Sequence, residues 1–332
     1  MKRYFLLFFL GLLLSGMSYA QQKKYSFSQT KMGSPLNIIL VTDDSMKAAS
    51  LAKECYALVD SFNLIYSDYD PLSELSRINT NAGSIPQKLS PALWDIIQLS
   101  KTAFQQSKGA FDISVGALSR FWRKARKEKI FPDKKAVAEK RKTVGFSKIK
   151  FDRLNHSLSL PAGMQLDLGG IAKGYIAQKI IDYLKQKGIT QALADAGGDM
   201  AMSDAPNGSK GWTIGVNVPE TTDELLRKKL LLQNMAIATS GDAYQYFEHG
   251  GKKYSHIIDP RTGYGISSQR NVTVIAKDGT TADWLATACS ILPVEEAKHL
   301  AQKMGAEVLI TVLKNEKIIY HASSGFKRFW KP

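Results

Sequence analysis

Two cysteines in 332 residues leave no room for a disulfide framework or a cysteine-built metal site. Cys55 and Cys289 both fall in apolar helical patterns, which points to two buried thiols, although a single bridge is arithmetically open. The five histidines lack ligand spacing, so no zinc signature is present. There is no repeat of solenoid period and no low-complexity tract. No glycine-flanked serine elbow occurs, which counts against a serine hydrolase. The chain has one uninterrupted apolar run, from Tyr4 to about Leu14 behind Lys2 and Arg3. It is too short for a comfortable membrane span, and Ser18 and Ala20 occupy the −3 and −1 places of a cleavage site. Residues 1–20 are therefore expected to be a signal peptide and the protein to be exported to the periplasm. No cysteine lies at the cut for a lipid anchor.

Acidic residues are also in short supply, 30 against 45 lysines and arginines, a formal charge of +15. Losing Lys2 and Arg3 leaves +13. Much of the excess is local: residues 120–142 hold eleven basic and three acidic side chains. That stretch is expected to be a solvated surface insertion. No stacking-aromatic motif accompanies it, so nucleic acid is not an expected partner, and attraction to an anionic partner or the inner-membrane face stays open.

Periodicity and punctuation predict a strand over 37–42 and a helix over 45–62. The polar segment 67–86 is expected to be turn-rich. Ser90 and Pro91, as N-cap and first helical residue, start a second helix that Gly109 stops. Strands are expected around 149–160, over 164–168, 191–194, 212–218, 235–239, 254–258 and 272–276, with a terminal hairpin at 308–313 and 317–321. Helices are expected over 171–187, 281–292 and 295–304, and Ser240-Gly241-Asp242 has the form of a capped helix start. Strands and helices mix irregularly, which predicts an α+β fold with mixed sheets and packed helices in a two-lobed single domain over 21–332.

Leu166-Asp-Leu-Gly-Gly-Ile-Ala-Lys-Gly174 is the most informative stretch. Its glycines let backbone N–H groups approach a ligand, the helix start adds partial positive charge, and Lys173 adds a full one. The combination suits a phosphate-bearing ligand, yet it is neither a Walker loop nor a Rossmann fingerprint. Asp283 and Thr287 lie one helical turn apart on one face, so both oxygens can share a hard cation such as magnesium. The same spacing is equally served by Thr280 as a cap and Asp283 closing a capping box. His256, beside the Asp259-Pro260-Arg261-Thr262-Gly263 turn, is either a general base or a satisfied structural group. Phe111 and Asp112 after the second helix, and Tyr69 in the polar loop, can line a slot for a flat ring, or simply anchor core and loop.

The order of these pieces along the chain is specific. Met32-Gly33, Ser67 to Asn79, Gly109-Ala-Phe-Asp112, Leu166 to Tyr175, Ala196-Gly-Gly-Asp199, Thr239-Ser-Gly-Asp242, His256 to Gly263 and Ala282-Asp-Trp-Leu-Ala-Thr-Ala288 together resemble the ApbE family of FAD:protein FMN transferases. The resemblance implies an exported enzyme that splits FAD, releases AMP, and attaches FMN to a threonine or serine of an acceptor redox protein or subunit. It implies Mg2+ held by Asp283, Thr287 and the backbone carbonyl of Gly170. It places Met32, Tyr69, Ala110, Phe111, Asp112, Asp167, Lys173 and Ile257 at FAD, and His256 beside the reacting phosphate, where it is the expected base, with Asp283 as competitor. Ser34 and Ser268 depart from the family's pattern, and no motif covers residues 120–142. Two other outcomes are weighed: a magnesium-dependent FAD pyrophosphatase in the same fold, and a flavin-binding protein without turnover.

Overall fold

The computed structural model describes residues 22–216, 228–241, 246–268, 270–314 and 317–332. The expected signal peptide, the distal part of the 212–218 strand and Asp242 lie outside these residues. No helix among those described is long and apolar enough to cross a membrane.

The core is one eight-stranded antiparallel sheet whose strands follow in chain order: Lys23–Lys31, Ser34–Thr42, Ala192–Ala196, Met200–Met202, Met235–Ser240, Arg270–Ala276, Glu307–Lys314 and Lys317–Ala322. Helices are inserted between strands: α1 (Ser45–Tyr66), α2 (Glu74–Thr80), α3 (Pro91–Gln106), α4 (Gly116–Glu128), α5 (Lys134–Arg141) and α6 (Ala172–Gln186) before the third strand, α7 (Gly279–Ile291) and α8 (Val294–Lys303) before the seventh. Mixed helix and antiparallel sheet is the α+β class that the sequence predicts.

Strand alternation sorts the two faces. Leu36, Ile38, Ala194, Ala236, Ala238, Val272, Val274, Val308 and Ile310 join the main cluster under the helices. Their neighbours Leu193, Met202, Ile237, Ile275 and Leu309 turn the other way, under Trp212, Leu230, Leu232, Phe326 and Phe329. The helix face of the central strands is mostly alanine, so α6 and α7 lie close against the sheet. Eleven of α7's thirteen residues are buried, which marks it as a core helix. Cys55 and Cys289 are buried free thiols.

Several sequence expectations need correction. The strand Lys23–Lys31 was not expected: only Tyr25 and Phe27 alternate with polar residues and pack on the core, and the rest of it is polar; it pairs with Ser34–Thr42 across a Met32-Gly33 turn with positive φ at both residues. The polar segment 67–86 contains α2, capped by Ser73. Residues 164–168 are extended but pair only through an isolated bridge between Gln165 and Val115, because Asn79 takes the Leu166 backbone, donating to its carbonyl and accepting from its amide. Most charged side chains of the basic stretch 120–142 are exposed, as expected, but the stretch folds into most of α4 and α5 and buries Trp122 and Val137 with Leu118, Val144 and Ile258 in a third cluster.

Candidate active site

The first turns of α6 and α7 touch through glycine. A Cβ on Gly174 would stand 2.1 Å from the Gly279 carbonyl oxygen, and one on Gly279 would stand 2.2 Å from that of Gly174. Only bare backbones allow this approach, and it carries Asp283 under the first turn of α6. There the Gly174 N–H donates to Asp283 Oδ2 at 2.9 Å. The capping-box alternative is thereby overturned: Asp278 caps α7, accepting from Thr281 N at 2.8 Å, and Asp283 is free of that task.

Asp283 is 4% exposed, a carboxylate inside a core helix. Burial lifts its pKa from the usual carboxylate range to about 7, against the lowering pull of the Gly174 N–H and Lys173. Asp199, partly buried on the turn between the third and fourth strands, is pushed upward too, first by burial and then by the charge of Asp283, while Lys173 pulls it down. One lysine thus faces two mutually repelling carboxylates. Such a cluster suits an additional cation. One helical turn on, Thr287 Oγ1 would stand 2.9 Å from a Cβ on Gly170, so the hydroxyl abuts the glycine bend. Ser240 Oγ lies 3.4 Å from the same hydroxyl. The residues present therefore fit a hard divalent ion: a buried carboxylate, a hydroxyl one turn on along the same helix face, and a glycine bend that lies against that hydroxyl.

Of the other expected residues, Phe111, Lys173 and the Met32 hairpin meet this point, whereas no contact among the described residues ties Asp112, Tyr69, Ile257 or His256 to it. Phe111 is buried, 3.3 Å from a Cβ on Gly170, with its ring 6.2 Å from that of Trp284. Ala110 is buried beside it. Lys173 Nζ reaches the Gly197-Gly198 turn, where a Cβ on Gly197 would lie 3.6 Å from it and 2.6 Å from Ser34 Oγ. This brings the Met32 hairpin to the site, and the Ser34 hydroxyl is buried with no partner. Asp167 Oδ1 accepts from the Gly169 N–H at 2.8 Å and so shapes the bend. Asp112 is occupied with the chain itself: Oδ1 accepts from Ser114 N and Oγ, and Oδ2 from Phe146 N. Tyr69 is exposed at the edge, its ring 4.1 Å from the Arg123 guanidinium. Ile257 is buried in the main core while His256 beside it is exposed.

The turn after His256 is held from below by the basic helices. Trp122 Nε1 donates to the Gly263 carbonyl at 2.8 Å, and the Trp122 ring stacks on Tyr254. Gly263 has positive φ, and a Cβ there would meet Val137 at 3.0 Å. Trp122→Phe removes the bond and leaves a buried carbonyl unpaired. A loss of about 1–2 kcal/mol in a urea melt is expected.

Sequence reasoning missed Asp199 as a site residue, although it lies in a quoted motif; the signal available was an acid directly after a glycine pair. It also missed the pairing of Asp68 with Arg123 and Arg120, which ties the Tyr69 loop to α4.

A glycine-built junction of two helices, presenting a lysine with one buried and one half-buried carboxylate beside an aromatic side chain, suits phosphoryl chemistry. The chain belongs to the ApbE family, whose model matches residues 32–310. It is 31% identical over 302 residues to the FAD:protein FMN transferase of Klebsiella pneumoniae (strain 342), covering 90% of this chain and 92% of that protein. Among solved structures it is similar to a histidine-to-glycine variant of flavin transferase ApbE from Vibrio cholerae, with TM-score 0.82, 30% identity, and 92% and 99% of the two chains covered. It is also similar to the ApbE protein of Thermotoga maritima, with TM-score 0.84, 28% identity, and 93% and 100% covered.

Proposed function

We propose that this chain transfers FMN from FAD to a threonine or serine hydroxyl of an acceptor protein and releases AMP. The observation that carries the reading is the buried Asp283 with the half-buried Lys173 and Asp199 near the Gly170 bend, within a chain of this family. The acceptor oxygen forms a phosphoester with the FMN phosphorus. The pyrophosphate bond to that phosphorus breaks, and AMP leaves with the bridging oxygen. Such chemistry is mostly positioning and charge neutralisation. Lys173 sits where it can offset charge on the phosphates. Phe111 and Tyr69 supply faces for the flat ring system. Asp283, Thr287 and the Gly170 carbonyl are the groups that would hold Mg2+. When bound, this ion would supply Lewis-acid neutralisation of phosphate oxygens.

His256 is the base that takes the hydroxyl proton. Its exposure suits a residue that must meet an incoming acceptor. His256→Asn is expected to flatten the acidic limb of the pH–rate profile; an unchanged limb would clear His256 of the role. Residues 1–20 support export to the periplasm, with acceptors among exported or membrane-attached redox proteins. The assay for the whole reading incubates the mature protein with FAD, Mg2+ and a candidate acceptor domain, then weighs the acceptor. A gain matching FMN is expected. Free FMN and AMP with no gain would mean hydrolysis, and no product at all would leave a flavin binder.

A further inference from the structure

The basic stretch that no motif covers builds a surface of its own. Arg120, Arg123, Lys124 and Lys127 recur at three- and four-residue spacing along one face of α4. They line a cleft of about 470 Å³ with Asp68, Tyr69 and Glu128. Two of the cations are committed: Arg123 and Arg120 both pair with Asp68, which is itself buried. This pairing fixes the wall, and the Arg123 guanidinium over the Tyr69 ring fixes the floor. Lys124 and Lys127 are exposed, and among the described residues Lys127 has no carboxylate partner, while Lys124 reaches Glu128 only at 3.8 Å. Further basic groups continue outward: Lys129, Lys134, Lys135 and Lys140 are all exposed.

The cleft opens next to the candidate active site. Asp167, which shapes the glycine bend, acts electrostatically on both Asp68 and Arg123. A protein that delivers a hydroxyl to that bend must lay its flanking chain over this rim. We propose that the α4 cleft binds an acidic segment of the acceptor protein, adjoining the hydroxyl-bearing residue. The inference rests on the transferase reading above. An open, shallow cleft with cations spaced along one helix face fits a peptide segment carrying carboxylates. It fits a planar anionic membrane less well, because the cations line a concavity and Asp68 and Glu128 stand among them.

The test uses the mature protein, a fluorescein-labelled twelve-residue peptide of alternating Glu and Gly with one threonine, and its Gln-for-Glu counterpart. Binding is followed by anisotropy at low and high salt, for the wild type, Lys124→Glu/Lys127→Glu, and a control of equal charge change on the edge strand, Lys23→Glu/Lys24→Glu. The acidic peptide is expected to bind the wild type and the control alike, about tenfold more weakly the α4 variant, and more weakly at high salt. Equal binding to wild type and α4 variant, or binding of the Gln peptide as tight as the acidic one, would overturn the proposal. So would vesicles of phosphatidylglycerol and phosphatidylcholine that lose affinity for the α4 variant while the peptide does not. FAD affinity, read by quenching of flavin fluorescence, is expected to be the same in all three proteins. A parallel tenfold loss for FAD would assign the cleft to the nucleotide instead. Absence of FAD binding in the wild type would sink the transferase reading, whereas the peptide result is read independently of it.

Discussion

Asp283→Asn is expected to lower FMN transfer by about 10³-fold, the usual cost of removing one preorganised electrostatic group from a phosphoryl-transfer site. The asparagine oxygen still accepts the Gly174 N–H, so the α6–α7 junction keeps its bond and the fold should survive. A mass assay of the acceptor checks the loss, and near-UV circular dichroism checks the fold; full activity in a folded variant would remove Asp283 from the mechanism. The same variant should gain stability when metal-free. The folded-state pKa of Asp283 is about 7 against an ordinary value of 3.8, so the folded protein holds this proton more tightly than the unfolded chain. The charged form therefore costs nothing below about pH 4, costs progressively more up to about pH 7, and costs its full amount above. In chelator-treated protein, Asp283→Asn should be more stable than the parent at pH 8, by up to about 4 kcal/mol. The difference should vanish near pH 4. A variant less stable than its parent at pH 8 would show that the buried carboxylate is not under electrostatic stress.

Gly174→Ala should be among the most damaging single methyl groups that the chain can receive. Its Cβ would sit 2.1 Å from the Gly279 carbonyl oxygen and 2.6 Å from Asp283 Cβ. Neither obstacle can rotate away, because one is backbone and the other is the root of a buried side chain. The two helices would have to separate, and α7 is buried almost all round. A loss of at least about 3 kcal/mol is expected, seen as a lower urea midpoint or as insoluble expression. Gly188→Ala is the comparison. That glycine, unlike the helical Gly174, has positive φ, +81°, but nothing stands within 4 Å of its added Cβ. Only backbone strain remains there, about 1 kcal/mol. Similar losses in both variants would mean that the α6–α7 contact is looser than drawn.

Both predictions depend on where the chemistry-bearing residues meet, and that was only partly legible beforehand. The α+β class follows from the irregular order of strand and helix signals. Helices α3, α6 and α8 announced themselves through a capping serine, a terminal glycine and regular apolar spacing, which are local properties. Residues 164–168 have strand composition but pair only through a short bridge to residues 113–116, because Asn79 takes the Leu166 backbone, and a partner 87 residues away leaves no local trace. The strand Lys23–Lys31 shows the reverse: only Tyr25 and Phe27 alternate in it, and full-length pairing with Ser34–Thr42 supplies the rest of its order. Asp199 went unassigned for a similar reason. A lone acid after two glycines looks like any turn until Asp283 is brought opposite it.

The sequence by itself determined the glycine-rich bend, the paired oxygens on one helix face and the family to which they belong. Those features are short-range: spacing along a helix and freedom at a glycine need no neighbour to be read. Tertiary structure decided which carboxylates share a lysine, that Asp278 rather than Thr280 caps α7, and that the basic stretch is a folded wall beside the site. Burial and charge coupling act between segments far apart in the chain, and they exist only once the two glycines let α6 and α7 touch.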